Sequence, residues 1–367
     1  MIWSPRIFLI AGVSLWLGTG CATVPLNQAL GDFNRGNLDA ADQRLATIPD
    51  GPDAVRLLME RGMIRHLRHD YTGSIGDFAR AIKLEENLET HSISKAGASM
   101  LVNDSTLAFR GAPYERTYLH VFQARNYLAQ GSWDDAGVEG RNIIYRQEHL
   151  NGFPDDAYSR YMAGLCLALS GDDGGAAFQY RIADSLLPTL AINPITGNFL
   201  TGSQTNLPPA PLSQSYELVC LVDMDGGGSL AAADIYSGGK FLGTAHILTD
   251  TSMLASLSRK KTASSRMAKT VARIAVKEGI AAAVSAHNED LGDMVRFLLF
   301  SMEVPDERAW ETLPNLLAVA RVACPANLQS VDVVFRNHYG RGPGRITVPG
   351  PLACRNRTYF AFCRNSP

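Results

Sequence analysis

The chain has almost no net charge and, past its first twenty residues, no apolar run long enough to cross a membrane. Its 367 residues carry 34 Lys and Arg against 36 Asp and Glu, a formal net charge of −2. So even a balance offers no broad electropositive surface to a nucleic-acid backbone, and no nucleic-acid partner is expected. A hydrocarbon core needs ~20 apolar residues in succession. The longest stretch in the body, Ile274 to Val284, is interrupted by Lys277 and Glu278. CxxC pairs and Cys/His clusters are missing, which excludes the usual structural zinc sites. No Gly-rich phosphate loop, nucleophile elbow or spaced acid–base pair is found, so no catalytic residue, metal or cofactor is assigned. Those absences favour a binding or scaffolding role over an enzyme.

The chain opens with one positive charge (Arg6), an apolar run from Ile7 to Leu17, the small residues Gly18, Thr19 and Gly20, and then Cys21. A run of roughly ten residues is too short to span a bilayer and has the proportions of a secretory signal. Small residues let the chain lie extended in a signal peptidase, and the thiol is the group that accepts a diacylglycerol. This opening resembles a bacterial lipoprotein signal, with residues 1–20 removed and Cys21 lipidated. Gly18 stands where such signals usually place Leu. Ala22 after the cysteine, rather than Asp, implies the outer membrane with a periplasm-facing protein.

Five cysteines remain. Export into an oxidising compartment favours pairing. Cys354 and Cys363 are close in sequence and are the expected disulfide. Cys166 lies on an apolar helical face with Tyr161, Leu165 and Leu169, and reads as a small buried hydrophobe.

From 21 to 187 the chain reads as tetratricopeptide-like helical hairpins. Turn signals recur at Gly36-Asn37, His69-Asp70, Gly131-Ser132 and Gly171-Asp172, each followed by a helix containing Ala. The first two are about one repeat of ~34 residues apart. An insertion spans His91 to Pro113. A Pro/Gly-rich linker is expected over 188–214, a smaller α+β domain over 215–336 and an irregular basic tail over 337–367. Within that domain Tyr216 to Val222 reads as a strand. Ser237-Gly238-Gly239-Lys240 reads as a hairpin turn. Ser252 to His287 and Asp290 to Met302 read as helices, Thr312 to Val322 as helical or mixed, and Gln329 to Phe335 as a strand. The fold class is mainly α.

Four local patterns invite a chemical reading. His66 and His69 have helical i, i+3 spacing near Glu60, without a third metal donor. Asp223-Met224-Asp225-Gly226 resembles the start of a calcium loop but lacks the closing Glu. Arg266, Lys269, Arg273 and Lys277 align on one helix face and form a candidate strip for an acidic partner, with Arg273 expected to pair internally and Lys269 and Lys277 to be exposed. In Asp306-Glu307-Arg308-Ala309-Trp310, Trp310 is expected to pack on a helix while Arg308 pairs with a carboxylate; both are also carried as partner-binding candidates.

Further motifs follow in order: Leu101-Val102-Asn103-Asp104-Ser105, Phe109-Arg110-Gly111, Tyr114-Glu115-Arg116, Asn126-Tyr127-Leu128-Ala129-Gln130-Gly131 and Val138-Glu139-Gly140-Arg141, then Arg266 to Lys277 and Asp306 to Pro314. In these the chain resembles tetratricopeptide-like bacterial envelope lipoproteins, whose pattern commonly has Ala where Gly140 stands. The resemblance implies a lipid-anchored scaffold that binds envelope protein partners through its repeat surface, in cell-envelope assembly or maintenance. The alternative is a glycan-binding or peptidoglycan-modifying protein acting through the C-terminal domain.

Overall fold

The computed structural model describes residues 23–94, 107–149, 153–200, 216–225, 230–301, 306–337 and 344–365, with 339 and 342. Cys21 and the signal segment lie outside them, as does most of the expected insertion. Eight helices form four hairpins: α1 (Thr23–Asn34) with α2 (Leu38–Arg44), α3 (Ala54–Leu67) with α4 (Tyr71–Ser94), α5 (Pro113–Gln130) with α6 (Trp133–Glu148), and α7 (Ala157–Ser170) with α8 (Asp173–Leu186). Each of the four anticipated turns has a left-handed residue ending its first helix: Gly36, His69, Gly131 and Gly171 at φ 75, 61, 75 and 93°. That conformation lets the last carbonyls of the helix be satisfied before the chain reverses. At three of the four turns a side chain then caps the next helix: Asn37, Asp70 and Asp172, the last accepting on Oδ1 from Gly175 N at 2.8 Å. Behind the turns, Ala41, Ala81, Ala136 and Ala176 are fully buried, so paired helices approach closely.

The second half is an eight-stranded sheet: β1 (Tyr216–Met224), β2 (Leu230–Ser237), β3 (Lys240–Asp250), β4 (Leu316–Cys324), β5 (Ser330–Asn337), β6 (Gly344–Pro349), β7 (Ala353–Arg355) and β8 (Thr358–Arg364), in spatial order β6-β5-β2-β3-β4-β1-β8-β7. Every neighbour pair is antiparallel except β1 with β8. The sheet curls until β6, which pairs with β5, runs on into β7, which pairs with β8. The two-residue alternation of the strands separates two cores. Val219, Leu221, Leu317, Val319 and Phe360 join the helical core. Leu218, Cys220, Val222, Ile235, Ala318, Ala320 and Phe335 fill the inside of the curl. Between β3 and β4 a helical hairpin emerges, α9 (Thr251–Ser285) and α10 (Glu289–Ser301). Asp250 caps α9 by accepting from Ser252 N and Met253 N at 2.9 and 3.2 Å.

Four expectations need correction. Thr312 to Val322 is not helical: its Ala-rich body is β4, whose small residues fit a strand flanked by β3 and β1 and buried on both faces. The irregular tail is instead β6, β7 and β8, with β8 inside the sheet. The expected linker begins as packed structure, since Ile192 and Phe199 are buried and bridge each other, and Tyr161 Oη donates to the Gly197 carbonyl at 2.9 Å. The Cys354–Cys363 disulfide is absent; all five described cysteines are free. Cys354 stands opposite Tyr359, and Cys363 is four residues farther along β8. At ~3.3 Å per strand residue that is about 13 Å, beyond the ~7 Å a disulfide tolerates between Cα atoms. Cys363 is buried while Cys354 is exposed.

Candidate functional site

The first helix of the second, third and fourth hairpins, α3, α5 and α7, is buried on nearly every face. In an open array one face of such helices would be free. Here the chain's own second half covers it, and the seam between the two halves holds a set of buried polar groups that includes Glu60, Glu115, Arg125, Asp156, Asp223 and Thr249.

The floor of the seam is an ion pair. Arg125, mid-way along α5, donates from Nη1 and Nη2 to the two carboxylate oxygens of Asp223 in β1, at 2.7 and 3.0 Å, with both side chains 1% exposed. Burial raises the Asp223 pKa, and the Arg125 charge opposes that rise. Asp225 accepts from Arg364 Nε at 2.5 Å. The two carboxylates that suggested a calcium loop are thus each held by an arginine.

The segment 306–315 crosses the array as an irregular chain that turns at Glu311 and Thr312. Glu60 of α3 accepts the backbone N–H groups of Glu311 and Thr312, one on each oxygen, at 2.7 and 2.9 Å. Burial pushes the Glu60 pKa up to about 7 against those two amides. Glu115 of α5 accepts from Trp310 N at 2.8 Å and from Ala112 N at 2.6 Å; its pKa is also raised, by burial. Trp310 is 3% exposed and packs edge-on between Phe78 and Phe122, at 5.7 and 5.8 Å between ring centroids. Its Nε1 donates to Thr312 Oγ1 at 3.0 Å. Arg308 joins Asp306 and Asp53, each at 2.8 Å. Trp310 and Arg308 therefore hold the expected packing and pairing. As partner-binding candidates they are corrected, because both are engaged by the array itself.

His66 sits at one end of the seam. Ser74 Oγ donates to the Gly62 carbonyl at 2.6 Å and accepts from Asn126 Nδ2 at 2.8 Å. This network turns Asn126 Oδ1 toward His66, so His66 Nδ1 donates to it at 2.6 Å and Nε2 carries the lone pair. His69 is on the turn, its Nδ1 2.7 Å from Tyr71 Oη. Beside them a cavity of about 210 Å³ opens between α3, β6 and β8, and a neighbouring one of about 230 Å³ shares His69, Tyr71 and Phe362 with it.

On the other side of the array a groove of about 350 Å³ runs between α4 and α6 over α5. His120 Nδ1 is 2.7 Å from Glu139 Oε2 at its base, and Arg146 Nη2 donates to Glu85 at 2.9 Å. Tyr145 and Val138, 57% and 46% exposed, stand on α6, and Phe178, 54% exposed, on α8.

Arg266, Lys269 and Arg273 lie on α9, with side chains outside the described residues. Lys277 corrects the expectation of exposure: it is 3% exposed, and Ala281, one turn on, is fully buried. Among the described residues no helix is long and apolar enough to cross a membrane, and no group of three or more metal-binding side chains is found. Sequence reasoning missed Glu60 and Glu115 as receptors for the amides of residues 310–312, noted Asp223 only as part of a calcium-like loop, and missed Arg125 altogether; the partners across the seam lie too far along the chain for any spacing rule.

No protein-family model and no curated protein matches the chain. Among solved structures it is similar to MamA (residue 41 to the end) from Desulfovibrio magneticus, at 15% identity and TM-score 0.32 over 46% of this chain and 76% of that one. A tetratricopeptide repeat protein from Parabacteroides merdae follows at 15% identity and TM-score 0.21, covering 45% and 66%. The apo form of RapI matches at 11% identity and TM-score 0.23, covering 76% and 95%. Superpositions this loose leave the arrangement of the helices to this structure's own contacts.

Proposed function

We propose that this chain is a lipid-anchored protein of the bacterial outer membrane, facing the periplasm, that scaffolds envelope protein partners. One observation supports the form of the reading: the inner face of the array is filled by the chain's own sheet. A rigid composite body results, and the surface left for a partner is the outer groove between α4 and α6 with Tyr145 at its rim. The carboxylates Asp223, Asp225, Asp234 and Asp332 are each paired with an arginine, an arrangement that suits a structural sheet better than acid–base chemistry on glycans. Tyr145→Ala tests the surface. The side chain is exposed, so folding stability should stay within about 0.5 kcal/mol of wild type, while partners cross-linked by wild type in intact envelopes should be lost. Unchanged cross-links would remove the outer groove from the proposal.

A further inference from the structure

The cavity between α3, β6 and β8 contains two polar groups that the fold leaves unused. His66 is 2% exposed, and its Nε2 makes no hydrogen bond among the described residues. Arg364 donates from Nε to Asp225 and from Nη1 to the Thr312 carbonyl at 2.7 Å, while its Nη2 makes no hydrogen bond among the described residues. Both residues line the cavity, and the rest of the wall is mainly apolar, with Leu38, Leu67, Ile346 and Phe362. The charged side chains in the wall are Arg125, Arg364 and Asp223, and Asp223 is already taken by Arg125. A wall of this kind suits an apolar body carrying one anionic end.

We propose that this cavity binds a small carboxylate with an apolar body, its carboxylate seated between His66 Nε2 and Arg364 Nη2. A carboxylate facing a bare imidazole lone pair would be repelled. Binding therefore takes up one proton from solvent onto Nε2, and the imidazolium donates it in a hydrogen bond to the ligand. The anion's charge and the proton's cancel, so no net charge is buried. Free His66 is held neutral: burial, then the Arg125 charge, draw its pKa down to about 3, and His69 and Arg364 act in the same direction. Asp223 and Asp225 stand behind their arginines, and Tyr71 lies beside His69. Affinity should consequently fall about tenfold per pH unit wherever bound His66 is protonated and free His66 is not. Two sources share this chemistry, a peptide C-terminus and a short fatty acid. The proposal is independent of the scaffold reading and can fail without it.

The test is calorimetry on the purified Cys21→Ser protein, with N-acetyl-leucine, hexanoate and N-acetyl-leucinamide at about pH 5.5 and about pH 7.5. Either carboxylate should bind, more tightly at the lower pH, and the amide should not. Preference for one of the two carboxylates identifies the source. The His66 ¹⁵Nε2 resonance should move from the bare to the protonated range as ligand is added. His66→Gln should weaken binding at least about tenfold by removing the protonatable nitrogen. Leu38→Trp, which fills the cavity from a half-buried position, should abolish it and guards against a misfolded His66 variant. Equal binding of the amide, no pH dependence, or no heat with either carboxylate at millimolar concentration would overturn the proposal.

Discussion

Glu60 and His66 lie on one helix and respond to pH in opposite senses. Folded Glu60 keeps its proton up to about pH 7, whereas the unfolded chain releases it near 4.5, so its contribution is full below 4.5 and lost as pH rises to 7. Folded His66 stays neutral down to about pH 3 while the unfolded chain protonates near 6.5. Its contribution is full above 6.5 and lost as pH falls. Between 4.5 and 6.5 the two slopes oppose each other, each at most ~1.4 kcal/mol per pH unit. Relative to wild type, Glu60→Gln should make the melting midpoint rise with pH over that window, and His66→Gln should make it fall; parallel profiles would refute the assignment. Arg125→Met should cost about 3–5 kcal/mol by stranding Asp223. Adding Asp223→Leu should recover much of that loss in chemical denaturation, and a double variant no better than the single one would show that the pair is not the unit. At this scale the sequence revealed only part of the seam. Arg308 and Trp310 were legible because they have partners two residues away in Asp306 and Thr312. Arg125 was not, because its carboxylate belongs to a strand of the other half.

Elements were legible where backbone chemistry is local. The four hairpin turns announced themselves through Gly or His followed by Asn, Asp or Ser, and the hairpin between β2 and β3 through Gly238-Gly239. Short strands rich in Gly, Pro and Arg did not. β6 is recognisable only by the ladder it joins, which the sequence does not display, whereas β8 carries a local strand signal in Tyr359, Phe360 and Phe362 that the expectation of an irregular tail missed. Gly140 carries a different lesson. An Ala there would improve helix propensity by up to ~1 kcal/mol. Yet a Cβ at Gly140 would lie 2.9 Å from Cys166 Cβ and 3.3 Å from the Ala163 carbonyl. The glycine that the resemblance counted as a departure is what lets α6 and α7 touch. Gly140→Ala should therefore lower stability by about 1–3 kcal/mol, read from a urea midpoint, and a gain in stability would show that the helices separate freely.

For the molecule as a whole, the seam makes the two halves one thermodynamic unit. A protease site introduced between residues 205 and 206, then cut, should leave two fragments that co-elute on gel filtration and melt in one transition. Independent elution would show that covalent connection, not the seam, holds them. Cys21→Ser should release the protein from membranes, since each buried CH₂ of a lipid chain contributes ~0.8 kcal/mol; a variant that fractionates like wild type would sink the lipid anchor.

The parallel pairing of β1 with β8, Glu217 beside Thr358, has a consequence for how the protein is made. β1 is synthesised long before the strand that must lie against it. Until then the sheet that covers the inner side of the array, where Phe78, Phe122 and Arg125 are buried, lacks a strand. Completion of the chain is thus the signal that ends a vulnerable interval. Chaperones and proteases should distinguish finished from truncated copies by that incompletely covered side.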